Sequence, residues 1–172
     1  MPSAVIIRTR LPAGLERLRR RSVTDAEDGV PAHLTLLYPF VEPGGLDPDV
    51  RRAIASVAGR HAPFDFRLAG PGRWPDTIYV AVAPSAPFVA LQADLAAVFP
   101  AYPIYGKPSG FAFVPHVTVA EGSTVDDPAT IADRGWAALP WPARADALEV
   151  IADDGGGSRL VWRVRLTGRA RR

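Results

Sequence analysis

The feature that most restricts the fold is a phrase written twice. Residues 31–40 read PAHLTLLYPF and residues 114–120 read VPHVTVA, each an apolar run interrupted by a histidine and, two places on, by a threonine. On a strand successive side chains point to opposite faces, so His33 and Thr35 share one face while Leu34 and Leu36 take the other. The same alternation sets His116 and Thr118 against Val117 and Val119. Each phrase predicts a strand anchored by its aliphatic face, presenting an imidazole and a hydroxyl roughly 6.5–7 Å apart along the backbone. The chain has three histidines and eight threonines. Random placement would yield two such pairs roughly once in a hundred sequences.

The elements around the phrases also repeat. AVIIRT (4–9) reads as a strand, and LPAGLERLRRR (11–21) as a helix with Pro12 in its first turn and Leu11, Leu15 and Leu18 on one face. After the first histidine strand, LDPDVRRAIASVAGR predicts a helix with Asp47 as N-cap, Pro48 at the first position, a stripe of Val50, Ile54, Val57 and Ala58, and Gly59 near its end. FDFRLAG (64–70) and TIYVAVA (77–83) are predicted strands. APFVALQADLAAVF (86–99) is a helix with Ser85 as its expected cap. After the second histidine strand, DDPATIADRGW (126–136) predicts a short helix opened by Asp127 and Pro128, and ALEVIAD with RLVWRVRL flank DGGGS as a hairpin. The order in each half is strand, helix, histidine strand, helix, strand, strand, with the strand at 77–83 shared. From His33 to Phe64 is 64 − 33 = 31 residues, and from His116 to Asp146 is 146 − 116 = 30. This is an internal duplication, and it implies two similar lobes.

Composition sets the remaining bounds. At 172 residues, 48% hydrophobic and 22% charged, the chain fits one folded two-lobed domain spanning residues 1–172. The absence of cysteine removes disulfides, thiolate metal sites and a cysteine nucleophile. The N-terminal apolar run is only four residues long and no stretch approaches the length of a membrane span, so no membrane association and a cytoplasmic location are expected. Net charge is +2 with pI near 9.4, and the positive charge is clumped at RLRRR (17–21) and RARR (169–172). The simpler reading of both clumps is solvated surface, although such clumps attract polyanions.

Two imidazoles brought to opposite sides of one ligand suit acid–base chemistry, because histidine titrates near neutrality and one ring accepts a proton while the other donates. Such a pair can serve both ends of an in-line displacement at phosphorus, with Thr35 and Thr118 donating to non-bridging phosphate oxygens. A zinc site needs a third ligand, and no His-x-His or His-x-x-x-His spacing occurs, so neither metal nor cofactor is expected. His61, in GRHAPFDF, lacks the threonine and is expected to be a surface or capping residue. Tyr38, Phe40 and Phe113 flank the histidine strands and are expected to pack in the core rather than stack a base.

AHLTLLYPF and PHVTVA resemble the paired His-x-Thr-hydrophobic signatures of the two-histidine phosphoesterase superfamily, and most closely the bacterial 2′-5′ RNA ligase and RNA 2′,3′-cyclic phosphodiesterase family. IYVAVAPSAPFVALQADLAAVFPAYPIYG and LVWRVRLTG sit where that family carries like segments. The resemblance implies a bilobal α+β fold with two antiparallel sheets facing a central cleft and helices outside. It implies metal-independent hydrolysis, or reversal as 2′-5′ ligation, of phosphodiesters at ribose 2′ and 3′ oxygens. His33 and His116 carry over as the catalytic pair, and Thr35 and Thr118 as phosphate-binding partners. The expected ligand is RNA with a 2′,3′-cyclic phosphate end or a cyclic nucleotide, bound by a monomer. Family members often carry a basic residue soon after the second motif. Here HVTVAEGS supplies Glu121, which turns attention to Lys107 and Arg73 as substitute cations. Two alternatives stay open: a non-catalytic nucleotide- or RNA-binding module, and a phosphoesterase of a small non-RNA cyclic phosphate.

Overall fold

The computed structural model describes residues 2–27, 29–107, 112–153, 155 and 157–169, so that all but the first residue of the RARR clump lies outside the described residues. Its strands are β1 (Ala4–Arg8), β2 (His33–Leu37), β3 (Phe64–Trp74), β4 (Thr77–Ala83), β5 (His116–Glu121), β6 (Trp141–Ala145), β7 (Ala147–Asp153) and β8 (Ser158–Arg165). Its helices are α1 (Ala13–Ser22), α2 (Thr24–Glu27), α3 (Pro48–Ala58), α4 (Ala86–Val98) and α5 (Pro128–Ile131).

The predicted helices form for the predicted reasons, with two exceptions. Asp47 caps α3 by accepting from the N–H groups of Asp49 and Val50, both at 2.9 Å, and Ile54, Val57 and Ala58 are buried. Phe88, Leu91 and Leu95 seat α4 in the core, but Ser85 itself has helical backbone angles and its side chain caps nothing. The segment 126–136 is not one helix. Asp127 caps the single turn of α5, and Asp133 accepts from Gly135 N–H and starts a separate 3-10 turn at Arg134–Ala138. A side chain that captures a nearby backbone donor in this way competes with helix continuation.

The strands build two antiparallel four-stranded sheets, ordered β2-β1-β7-β8 and β5-β4-β3-β6. In each sheet the histidine strand lies at an edge, beside the strand that precedes it in its own half. The remaining two strands come from elsewhere in the chain: β7 and β8 complete the first sheet, β3 and β6 the second. Counted from its histidine, each inner contributed strand begins at the same distance, 64 − 33 = 31 and 147 − 116 = 31 residues. The helices exchange as well, since α1 packs against β5 and α4 against β2, and the two histidine strands approach one another. The result is a pseudo-two-fold α+β fold whose halves are interlocked.

Two strand details depart from the sequence expectation. β3 runs to Trp74, through Gly70-Pro71-Gly72, because β6 pairs only with Phe64–Leu68 and leaves the rest of β3 a free edge where a proline is tolerated. β6 itself, WPARA, carries no strand signal in its sequence; it too is an edge strand, which accommodates Pro142.

One apolar cluster draws on both sheets and on the helices. Leu34, Leu36, Leu148 and Val150 meet Val80, Val82, Val117 and Val119, with Leu15, Leu18, Phe88 and Leu91 from the helices. Phe88 receives Phe64 and Phe66 edge-on at 4.9 Å each. Burial of the alternate residues of β2 and β5 on this core fixes their register and turns His33, Thr35, His116 and Thr118 to the opposite faces.

Candidate functional site

Cross-strand pairing shows what shares a face with each histidine. His33 pairs with Arg8 and Thr35 with Ile6, while Ile6 also pairs with Glu149 and Glu149 with Arg163. In the second sheet His116 pairs with Ala81, Thr118 with Tyr79, and Tyr79 with Gly72. Both histidine strands break register at the residue after the threonine. Leu36 is skipped between Thr35 and Leu37, and Val119 between Thr118 and Ala120, so two consecutive residues turn inward in each. A bulge at this point ends the alternation and re-aims the strand just beyond the motif.

The two imidazoles are held alike. His33 Nδ1 lies 2.8 Å from the Pro31 carbonyl oxygen, and His116 Nδ1 lies 2.7 Å from that of Val114. A carbonyl only accepts, so each Nδ1 carries the proton and donates, and each neutral ring keeps a lone pair on Nε2. Burial lowers both rings below ordinary histidine. His33 is brought down to about 4, chiefly by desolvation, against the raising effect of the Pro31 carbonyl, and further by the positive charge of Arg19 and by His116 when that ring is protonated. His116 is lowered by desolvation, opposed by the Val114 carbonyl. At neutral pH both rings are therefore proton acceptors, and a bound anion would favour protonation of one.

An aromatic wall stands around His116. The Trp74 ring meets it edge-on at 4.7 Å, Tyr79 lies at 5.3 Å, and Trp74 and Tyr79 lean together at 4.1 Å. Gly72 is required here, because a Cβ at that position would fall within 2.6 Å of the Tyr79 ring and hydroxyl. Tyr105, in the 3-10 turn Ile104–Gly106, reaches both motifs. Its ring is 6.4 Å from His116 and its hydroxyl shares a hydrogen bond with Thr35, so one side chain spans from the second motif to the first. Tyr105 is also the one described non-glycine residue in the left-handed region, at φ 53°, a conformation costing about 1–3 kcal/mol that surrounding contacts must hold. Burial raises its phenol above the usual range, so the hydroxyl remains a donor.

The four predicted residues thus stand on the polar faces of the two edge strands. The candidate cations fare differently. Arg73 pairs with Ile78 on the far face of its sheet, donates to the Val125 carbonyl at 3.0 Å and is ion-paired with Asp126, so it does not line the His116 face. Lys107 is exposed two residues beyond Tyr105. Glu121 is structural: it forms a capping box with Thr124 and accepts from the Thr24 N–H at 2.8 Å. Phe40 is core, edge-on to Phe99 and Tyr102, and Phe113 packs against the same cluster, whereas Tyr38 is 37% exposed. His61 donates to Asp94 at 2.9 Å and ties the end of α3 to α4, a structural role apart from the motifs. Sequence reasoning missed Trp74, Tyr79, Tyr105 and Arg19. The last belongs to RLRRR, read as surface, yet it is 2% exposed. Among the described residues no three histidine, aspartate or glutamate side chains gather as metal ligands, and no helix is long and apolar enough to cross a membrane.

A family model described as the 2′-5′ RNA ligase superfamily matches residues 7–157. Among solved structures, TT0787 of Thermus thermophilus superposes with a TM-score of 0.64 at 21% identity, covering 99% of this chain and all of that one. A protein described only as a phosphoesterase gives 0.58 at 17% identity, with 95% and 98% covered. E. coli LigT complexed with 3′-AMP gives 0.56 at 18% identity, with 95% and 97% covered. No curated protein matches the chain significantly.

Proposed function

The chain belongs to the 2′-5′ RNA ligase superfamily, and we propose that it is a phosphodiesterase that hydrolyses 2′,3′-cyclic phosphates on RNA ends or nucleotides. The observation that carries this reading is the matched pair of imidazoles, each locked through Nδ1 to the carbonyl two residues before it and each offering Nε2 from an edge strand. One Nε2 takes a proton from water as its oxygen bonds to phosphorus. The other, protonated, gives its proton to the ribose 3′ oxygen as the P–O3′ bond breaks, and a 2′-phosphate is left. Thr35 and Thr118 donate to the non-bridging oxygens. Run backwards with a 5′-hydroxyl in place of water, the same groups join two ends.

Nucleotides bound in structures of similar fold support a nucleotide-sized ligand, since LigT is described in complexes with 3′-AMP and with ATP. Arg8 and Arg163 on the His33 face would favour an anionic chain. Each is already paired, Arg8 with Glu149 at 2.8 Å and Arg163 with Asp146 at 3.0 Å, which favours the alternative of a small non-RNA cyclic phosphate. The deciding experiment offers 2′,3′-cyclic mononucleotides and a cyclic-ended oligonucleotide, with and without EDTA, and identifies the product. A 2′-phosphate formed in the presence of EDTA is expected. Binding without turnover of any cyclic phosphate would favour a non-catalytic module instead. An oligonucleotide preference that falls steeply with salt identifies RNA, and a flat salt response identifies the small ligand.

A further inference from the structure

The two histidine phrases match in register, bulge and ring hydrogen bond, but not in what lies behind them. The buried residues of α1 are Leu15, Leu18, Arg19 and Ser22; those of α4, at the same spacing, are Phe88, Leu91, Gln92 and Leu95. One lobe buries a guanidinium where the other buries an amide. Arg19 is 2% exposed, donates to the Val30 carbonyl at 2.8 Å, and meets the Asp25 carboxylate at 2.5 Å. Removing a charge from water is costly, so such a group persists only where its hydrogen bonds are held. The next residue along, Pro31, supplies the carbonyl that fixes His33. Guanidinium, Val30 carbonyl, Pro31 carbonyl and imidazole form one uninterrupted sequence of contacts.

We propose that Arg19 is a positioning residue for the first histidine: it pins the Val30–Pro31 segment that orients His33 for the proton-accepting role, leaving His116 as the proton donor. The proposal rests on the cyclic-phosphate reading above for its reaction, though not for its effect on His33. The charged groups around His33 agree with it. On β1, Arg8 is paired with Glu149; on β5 stands His116; in the turn at Ile104–Gly106 the hydroxyl of Tyr105 is bonded with Thr35; and the charged residue of α4, Asp94, is engaged by His61 and Arg60 and contributes nothing at His33. Arg19 adds its positive charge to the desolvation that lowers His33, and no arginine contributes at His116. In the hydrolytic step His33 Nε2 accepts the water proton as the new P–O bond forms. His116 Nε2–H protonates O3′ as the old bond breaks, and the rings then exchange protons with solvent.

The test combines NMR titration of both histidines with kcat/KM–pH profiles on a 2′,3′-cyclic mononucleotide, for wild type, Arg19→Gln, Arg19→Lys and Asp25→Asn. Arg19→Gln should raise the His33 titration and the acidic limb by about one pH unit, leave the His116 titration in place, and lower kcat about tenfold with KM little changed. Arg19→Lys should keep the titration low and still lose kcat, because an ammonium cannot reproduce the fork held by Val30 and Asp25. The Asp25 side chain is 41% exposed, so Asp25→Asn should fold even if the Arg19 variants do not. It should move His33 further down by uncovering the guanidinium charge. A His33 titration unmoved by Arg19→Gln, equal shifts at both histidines, or an upward or absent shift in Asp25→Asn would each overturn the proposal. If wild type turns over no cyclic phosphate, the assigned reaction fails, while the NMR titrations still decide whether Arg19 governs His33.

Discussion

Acidification should destabilise this protein through His33 over a defined pH window. The ring titrates near 4 in the folded chain and at 6.5 when unfolded. The unfolded state therefore binds the proton more readily, and stability falls as pH drops below 6.5, reaching its full loss below about 4. The separation is about 2.5 units, and at 1.36 kcal/mol per unit the linkage amounts to ~1 kcal/mol by pH 6, ~2 by pH 5 and ~3 by pH 4. The ring keeps some contact with solvent, so ~3 kcal/mol is a ceiling. His33→Asn isolates this contribution, because the amide can still donate to the Pro31 carbonyl but cannot titrate. Urea unfolding at pH 7.5, 6, 5 and 4 should show wild type losing stability relative to the variant by these amounts. The subtraction removes the contributions of His116 and of Asp94 and Asp133, whose lowered carboxyls act at more acid pH. Parallel curves for the two proteins would refute the reasoning, since they would mean that His33 is protonated as easily folded as unfolded.

Tyr105→Phe should reduce kcat/KM on a cyclic nucleotide about tenfold, the usual scale of one hydrogen bond, while leaving the urea midpoint close to wild type. Gly72→Ala should push the Tyr79 ring off its seat and disturb Trp74 and His116 with it; a loss of activity at least as large as that of Tyr105→Phe, read beside near-UV circular dichroism of the aromatic cluster, is the expected result. Asp47→Ala should cost about 1 kcal/mol of stability through the lost α3 cap and leave kcat/KM unchanged, which denaturant titration and the cyclic-nucleotide assay together check.

The motif residues were legible because residue type and alternation act locally: a strand with one aliphatic face must show His33 with Thr35, and His116 with Thr118, on the other. The repeated element order likewise exposed the duplication. The lobes' exchange of strands was not legible, because whether β3 pairs with β4 or with β2 is decided by long-range register and not by anything written within residues 64–74. The bulges after Thr35 and Thr118 show only as two adjacent buried residues, Leu36 with Leu37 and Val119 with Ala120, a pattern that an ordinary buried strand also gives. Arg19 was hidden among four other positions of RLRRR, where helical phase alone placed it beside Leu15 and Leu18 on the inward face. Tyr105 and Trp74 lie in proline- and glycine-containing stretches that read as loops. Only the folded chain brings them against the histidines.

In the proposed reaction the two histidines act as one unit on one phosphate. The direct test is a double-mutant cycle on kcat/KM for a 2′,3′-cyclic mononucleotide with His33→Asn, His116→Asn and the pair. Each single change should cost roughly 10²–10⁴-fold, and the double should cost little more than the worse single, as expected where removing either partner already disables the shared step. Losses that multiply in the double variant, or a single variant with near wild-type activity, would contradict it.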